Sequence, residues 1–343
     1  MLATIAVLFY NRPGTSIPDN WEPVWKMTQS FNIPRRALAA VATHNHVYVI
    51  GGVDANGDYA TSVEYSTIGD HGELGPWRAT SSLNEGRFYL AAVVSGSYIF
   101  ALGGGSGAIG EDNRPVATVE RAKINSDGSL SEWKILPDMH LPRRGLKAVS
   151  VNNRIYAIGG YSGVFLKSIE HAAVEPDGAL GSWQVDPQQA LLDRYIHSAA
   201  VNGQYLYLLG GHVQRTDKMS YGDVESSKIL DNGYLSPWNI EKSHLLVPRF
   251  IASAFALRGH LYMVGGHNGG NRLKNVEFAP IHTDGRIGDW RATTPLNIAR
   301  SAAATAVYGD YVYVAGGMSN DRVLNSVEMA TAISNGQLGY SGQ

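Results

Sequence analysis

The chain contains no cysteine, only 17% charged side chains among its 343 residues, and no long uninterrupted apolar run. The first absence excludes disulfide stapling, thiolate catalysis and cysteine-ligated metal, and leaves the redox compartment open. The second, with a formal net charge of −2, argues against an acidic disordered tail and against a phosphate-binding surface, so nucleic acid is not an expected partner. The third rules out a membrane-spanning helix, which needs about 20 consecutive apolar residues. The nearest approach is MLATIAVLFYN at the N-terminus, an apolar run of about nine residues with no basic residue before it. Two readings of residues 1–20 stand side by side: the remnant of a trimmed signal or anchor, implying a secreted or periplasmic protein, or an edge strand or leader. The compartment is otherwise undetermined. Its second half, NRPGTSIPDN, is rich in turn formers and reads as a linker into Trp25.

What the chain does have is a repeat. The stretch VEFAPIHTDGRIGDW, Val276 to Trp290, recurs with copies ending at Trp77, Trp133, Trp183, Trp238 and Tyr340. Each copy opens on an apolar residue and Glu, alternates apolar positions, turns on a Gly after Asp, Asn or His, and reaches an aromatic, which is a hairpin signature. Ahead of each copy a second strand ends in paired glycines, at Gly52, Gly104, Gly160, Gly211, Gly266 and Gly317. Units of about 52 residues repeated in this way indicate a β-propeller. Residues 21–343 therefore form one closed, all-β, six-bladed domain.

In the third unit, Arg143 to Val151 reads as the inner strand, Arg154 to Gly160 as the second and Ser168 to Val174 as the third, with outer strands starting at Trp133 and Trp183. Four such strands leave no room for an ordinary helix. The sixth unit ends at Gln343, too soon after Tyr340 for a good fourth strand, while Trp25–Thr28 has the Trp of an outer strand and nothing before it to pair with. The N-terminal segment is expected to complete the last blade and close the ring.

The paired glycines, the outer-strand Trp and the sixfold period resemble the kelch repeat, over about Trp21 to Tyr340. The resemblance implies four-stranded blades around a central channel. It also implies a loop face, built from the connections between strands two and three and between strands four and one, that takes a ligand or partner. No adaptor or actin-organising domain accompanies the propeller, so a ubiquitin-ligase adaptor role is not implied.

A residue present in every blade holds blades together; one present in a single blade breaks the symmetry and marks a site. By this rule Glu64, Glu120, Glu170, Glu225, Glu277 and Glu328 are scaffold, paired with the arginines Arg35, Arg87, Arg143, Arg249 and Arg300. Asp193 reads as the break in that arginine series. The Trp series is packing between blades, and the Asp-Gly turns are turns rather than calcium loops.

What remains gathers in blades three to five. The residues after the glycine pairs include Tyr161, His212 and His267; the starts of the inner strands add Arg144, Lys147, Arg194, Tyr195, His197 and Arg249. Lys147 and His197 are read as occupying the position held elsewhere by Ala39, Ala91, Ser253 and Ala304. Blade four shows an extra residue near Gly203 to Tyr205 and a long loop, His212 to Asp223, with Arg215 and Lys218; blade two has the loop Gly105 to Thr118 with Glu111, Asp112 and Arg114.

These residues point to a binding module whose loop face grips a protein segment, a glycan or an anionic small molecule. The alternative is an isomerase or lyase acting on an anionic sugar, since bacterial sialate epimerases are six-bladed kelch propellers, although none of their catalytic motifs is matched here. A self-associating repeat protein is a third reading. No cofactor is expected, nor a metal, because equivalent residues of neighbouring blades stand about 11 Å apart while an ion needs ligands at about 2 Å.

Overall fold

The repeats fold into antiparallel sheets in which each strand lies beside the next in sequence. The structure, a computed structural model, describes residues 21–107, 113–213 and 219–341. Blade one comprises Ala39–Thr43, His46–Ile50, Val63–Thr67 and Arg78–Thr80. Blade three comprises Lys147–Val151, Arg154–Ile158, Ile169–Ala173 and Gln184–Val185, and the others follow the same plan. Second strands such as Tyr205–Leu209 are buried along nearly their whole length, because each sheet is sandwiched between two others, which is why they read as continuous apolar runs. No helix occurs among the described residues, and so none is long and apolar enough to cross a membrane.

Two-residue turns join the first and second strands in every blade, as at His44-Asn45, with φ of 48° and 61°, the geometry that suits strand twist. Blade four turns at Gly203-Gln204 with the same length. The extra residue read from the sequence there does not exist.

The ring closes as the sequence implies. Lys26–Thr28 pairs with Val327–Ala332, Met27 opposite Glu328. The tail differs from expectation: Leu338–Ser341 is a strand, paired to Thr331–Ala332 on one side and to Trp21–Glu22 on the other. Residues 1–20 lie outside the described residues.

Inner strands start at Lys147 and its equivalents, four residues later than Arg143. The reason is that the arginine folds inward. Arg300 is representative: Nη1 donates to the carbonyls of Gly316 (2.9 Å) and Ser326 (3.1 Å), and Nη2 to Glu328 at 2.6 Å. Glu328 also accepts the N–H groups of Asn297 and Ile298 in the loop from the preceding blade. Corresponding pairs join Arg35 to Glu64, Arg87 to Glu120, Arg143 to Glu170 and Arg249 to Glu277. Arg194 pairs with Glu225 at 3.1 Å, so the series is complete at six, and Asp193 is only the residue before it.

The tryptophans lie between blades. Trp25, Trp77, Trp133 and Trp183 donate from Nε1 to Thr294, Gln29, Ser81 and Pro137, each on the edge of the preceding blade. Second-strand tyrosines make a further link. Tyr48, Tyr156, Tyr207, Tyr262 and Tyr313 donate to Gly128, Gly233, Gly285, Gly336 and Gly72 in the Asp-Gly-type turn of a neighbouring blade. Those turn glycines hold φ near +80°, for example 86° at Gly128, where a side chain would be strained. Blade two has Phe100 instead, and there Arg121 donates to the Asp177 carbonyl.

Candidate functional site

On one face of the ring the residue after each glycine pair bridges to the residue after the scaffold arginine: Arg36 to Val53, Phe88 to Gly105, Arg144 to Tyr161, Tyr195 to His212, Phe250 to His267, Ser301 to Met318. Blades six and one thus supply Ser301, Met318, Arg36 and Val53. Blades two to five supply rings.

Those rings form an unbroken band. Tyr161 lies 5.6 Å from Tyr195, Tyr195 stacks on Phe165 at 5.4 Å, and Phe165 meets His212 edge-on at 5.9 Å. His212 lies 5.3 Å from Phe250, and Phe250 5.4 Å from His267. All six are partly exposed. Phe250 therefore packs against both imidazoles.

Arg144 is the cation set among these rings. Its guanidinium lies 4.9 Å from the Tyr161 ring centre and 5.8 Å from that of Tyr195, within cation–π range. Nε donates to the Tyr195 hydroxyl at 3.0 Å and Nη1 to the Asn113 carbonyl at 2.7 Å. With the Tyr195 oxygen accepting, its own hydrogen is free to donate outward. Burial raises the Tyr195 hydroxyl pKa against the pull of Arg144, so it stays neutral.

The histidines are complementary. His212 Nδ1 lies 2.8 Å from the Met219 carbonyl, which makes that nitrogen the donor and leaves Nε2 as an acceptor. His267 Nδ1 accepts the Gly269 N–H at 2.9 Å, which puts the proton on Nε2. Burial, then Arg272, lowers the pKa of His267 and keeps it neutral.

The structure brings together Tyr161, Arg144, Tyr195, His212 and His267 and separates the other candidates from them. Arg194 and Arg249 are buried scaffold arginines, 1% and 0% exposed, bound to Glu225 and Glu277. His197, 1% exposed, does not share the position of Lys147. It precedes Ser198, the true equivalent of Lys147, and so matches Leu38, Leu90, Leu146, Ala252 and Ala303. Lys147 faces the axial channel with Ala39, Ala91, Ser253 and Ala304. Glu111, Asp112, Arg215 and Lys218 lie outside the described residues. Arg114 is exposed on a short ribbon opposite Ser106.

Phe165 and Phe250 went unread in the sequence. The signal for Phe250 was its place directly after a scaffold arginine, where Arg144 and Tyr195 also stand; Phe165 shows itself only through its bridge to Tyr161.

Comparison with known proteins follows the repeat. A model of the Kelch motif matches residues 142–171 and 299–329. The chain is 31% identical over 118 residues to Kelch-like protein 35 of Mus musculus, covering 34% of this chain and 18% of that protein. It is 25% identical over 252 residues to Beta-scruin of Limulus polyphemus, covering 71% of this chain and 26% of that protein. It thus spans only a minor part of the length of these relatives. Among solved structures, YjhT superposes with a TM-score of 0.70 at 13% identity, over 91% of this chain and 98% of that one. At that identity the likeness shows the fold alone.

Proposed function

This chain is a kelch-repeat β-propeller, and from that premise we propose that it is a binding module that holds a protein segment on the loop face of blades three to five. The observation that carries the reading is the ring band from Tyr161 to His267 with Arg144 set into it. Aromatic and arginine side chains that are partly buried and already fixed by neighbours lose little freedom on binding, and they dominate interface energetics. Blades six and one present Ser301, Met318, Arg36 and Val53 at the equivalent positions, and beyond Arg144 the aromatic surface continues only through Phe88, which stacks on Tyr59 of blade one. The free hydrogen of Tyr195, the His267 Nε2–H and the His212 Nε2 acceptor can then read a backbone or an acidic side chain.

The test is selection of peptides from a displayed random library on the immobilised propeller, followed by titration of the best peptide. Arg144→Ala and Phe250→Ala should each weaken binding by about fivefold or more, the loss that marks an anchor. Arg36→Ala, on the far side of the ring, should leave affinity unchanged. Equal losses at all three positions would overturn the reading, and binding competed by glycans but not by peptides would assign a carbohydrate ligand instead.

A further inference from the structure

Neighbouring blades are stitched around the axis by two backbone hydrogen bonds per junction. In the first, the second glycine of each pair donates to the next blade's scaffold-arginine carbonyl: Gly52 to Arg87, Gly104 to Arg143, Gly211 to Arg249, Gly266 to Arg300 and Gly317 to Arg35, at 2.8–3.0 Å. In the second, a ring of residues in left-handed conformation runs round the channel mouth: Tyr89 donates to Ala37, Gly145 to Tyr89, Ile251 to Ile196, Ala302 to Ile251 and Ala37 to Ala302. Five junctions carry both bonds.

The junction of blades three and four carries neither. Gly160 N–H makes no bond to the Arg194 carbonyl and Ile196 N–H none to the Gly145 carbonyl, although Ile196 keeps its left-handed φ of 45°. His197 is the residue that sets this junction apart. Where blades one, two and three have leucine and blades five and six alanine, its imidazole fills the junction and reaches the neighbourhood of Gly159, where Cε1 would stand 2.8 Å from a Cβ added there. Its ring approaches the Arg194 carbonyl, the acceptor Gly160 would otherwise use, without a well-formed hydrogen bond from either buried nitrogen. The scaffold pair beside it is also looser. Arg194 Nη2 and Glu225 Oε2 approach at 3.1 Å without a well-formed hydrogen bond.

Beside this junction stands Lys147, at the start of the inner strand of blade three. It is enclosed by protein yet touches the channel, whose upper neck of about 20 Å³ and main body of about 140 Å³ it helps to line. The other walls there are Ala39, Ala91, Ser253 and Ala304, with no carboxylate among the lining residues. The space exceeds the one-water minimum of about 10–15 Å³ several times over. Burial without a counter-charge draws the Lys147 pKa down to about 8. Arg194 and Lys147 together disfavour protonation of His197, behind the desolvation that dominates its shift. Lys147 and the backbone of Gly145 and Ile196 line the same neck, where the ammonium has no counter-charge.

We propose that the channel neck beside the junction of blades three and four is an internal binding site for a small monovalent anion, of the size of chloride or formate, held by the Lys147 ammonium with the N–H group of Ile196. The Ile196 N–H and the Gly145 carbonyl are both released where their bond is missing, and the ammonium, facing no carboxylate in the lining, gives the neck its positive charge. The bound anion supplies the counter-charge that the channel walls lack. The site is distinct from the ring band, since Lys147 points into the channel while Arg144 lies over Tyr161.

The experiment compares melting temperatures of the wild type and Lys147→Ala in buffers of constant ionic strength, with gluconate, too large for the neck, replaced stepwise by sodium chloride or sodium formate. Lys147→Ala installs the residue that blades one, two and six carry at this position; should it not fold, Lys147→Gln serves the same purpose. Wild-type protein should gain at least about 2 °C with saturating chloride or formate, and the variant should gain nothing. Broadening of the ³⁵Cl resonance by the wild type, absent with the variant, would mark chloride as the occupant. Equal gains in both proteins, or no response of the wild type to either anion, would overturn the proposal.

Discussion

Met27 lies directly opposite Glu328 in the last sheet, so the first described strands and the last share one blade. Trp25, 3% exposed, donates across the seam to the Thr294 carbonyl, and Asn297 Nδ2 donates back to the Trp25 carbonyl at 2.7 Å. Trp25→Ala should therefore destabilise the whole propeller by about 3–5 kcal/mol, read from urea denaturation. Deleting residues 21–29 should bare the edge of Val327–Ala332 and produce aggregates visible by light scattering. A truncated protein that stays monomeric with an unchanged midpoint would show that the seam is closed some other way.

The recurring glutamates tie each loop to its blade, so their loss is structural. Glu277 accepts the N–H groups of Leu246 (2.7 Å) and Val247 (3.1 Å) besides pairing with Arg249. Glu277→Gln removes the charge that a buried guanidinium needs and should cost about 2–4 kcal/mol, with peptide affinity per folded molecule unchanged. Lost affinity at normal stability would return this residue to the site.

Arg194 and Arg144 should behave as opposites. Arg194→Ala leaves Glu225 buried without its partner, so the melting temperature should fall while peptide binding by the folded fraction persists. Arg144→Ala should leave the melting temperature nearly in place and weaken binding. Calorimetry and titration on the two variants check this, and a reversed pattern would mean that the scaffold and site arginines have been exchanged.

Acid should weaken the fold through the buried histidines. His171, 0% exposed, is pushed down to about 4 from 6.5 by burial, then by Arg154, whose Nη1 lies 2.9 Å from Nδ1. Asp186 is 3.7 Å away and is itself raised by burial. Between those two pH values the unfolded chain binds a proton at His171 that the folded chain refuses, so this contribution is complete above about pH 6.5 and declines as the pH falls toward 4. His171→Phe, which copies Phe278 of blade five, should flatten the pH dependence in that window. An unchanged difference between stabilities at pH 7 and pH 4.5 would show that other groups carry it.

Period, blade count and ring closure are legible along the chain because each is a local pattern stamped out six times. A glycine pair, a Trp and a Glu at fixed phase mean the same thing wherever they recur. The scaffold roles of Glu277 and Trp290 follow from recurrence alone, whereas Arg144, Tyr161, Tyr195, His212 and His267 stand out because they depart from it at fixed positions of the repeat. Arg194 was misplaced because Asp193 drew attention away from the register of the arginines, and His197 because a shift of one residue moves a side chain to the other face of its strand.

The defect between blades three and four is of another kind. Gly160 and Arg194, or Gly145 and Ile196, belong to different blades and meet only when the ring is assembled. Whether two such groups bond depends on how the blades pack at a junction that His197 occupies in place of leucine or alanine. That packing forms across the junction, and no pattern within either repeat encodes it.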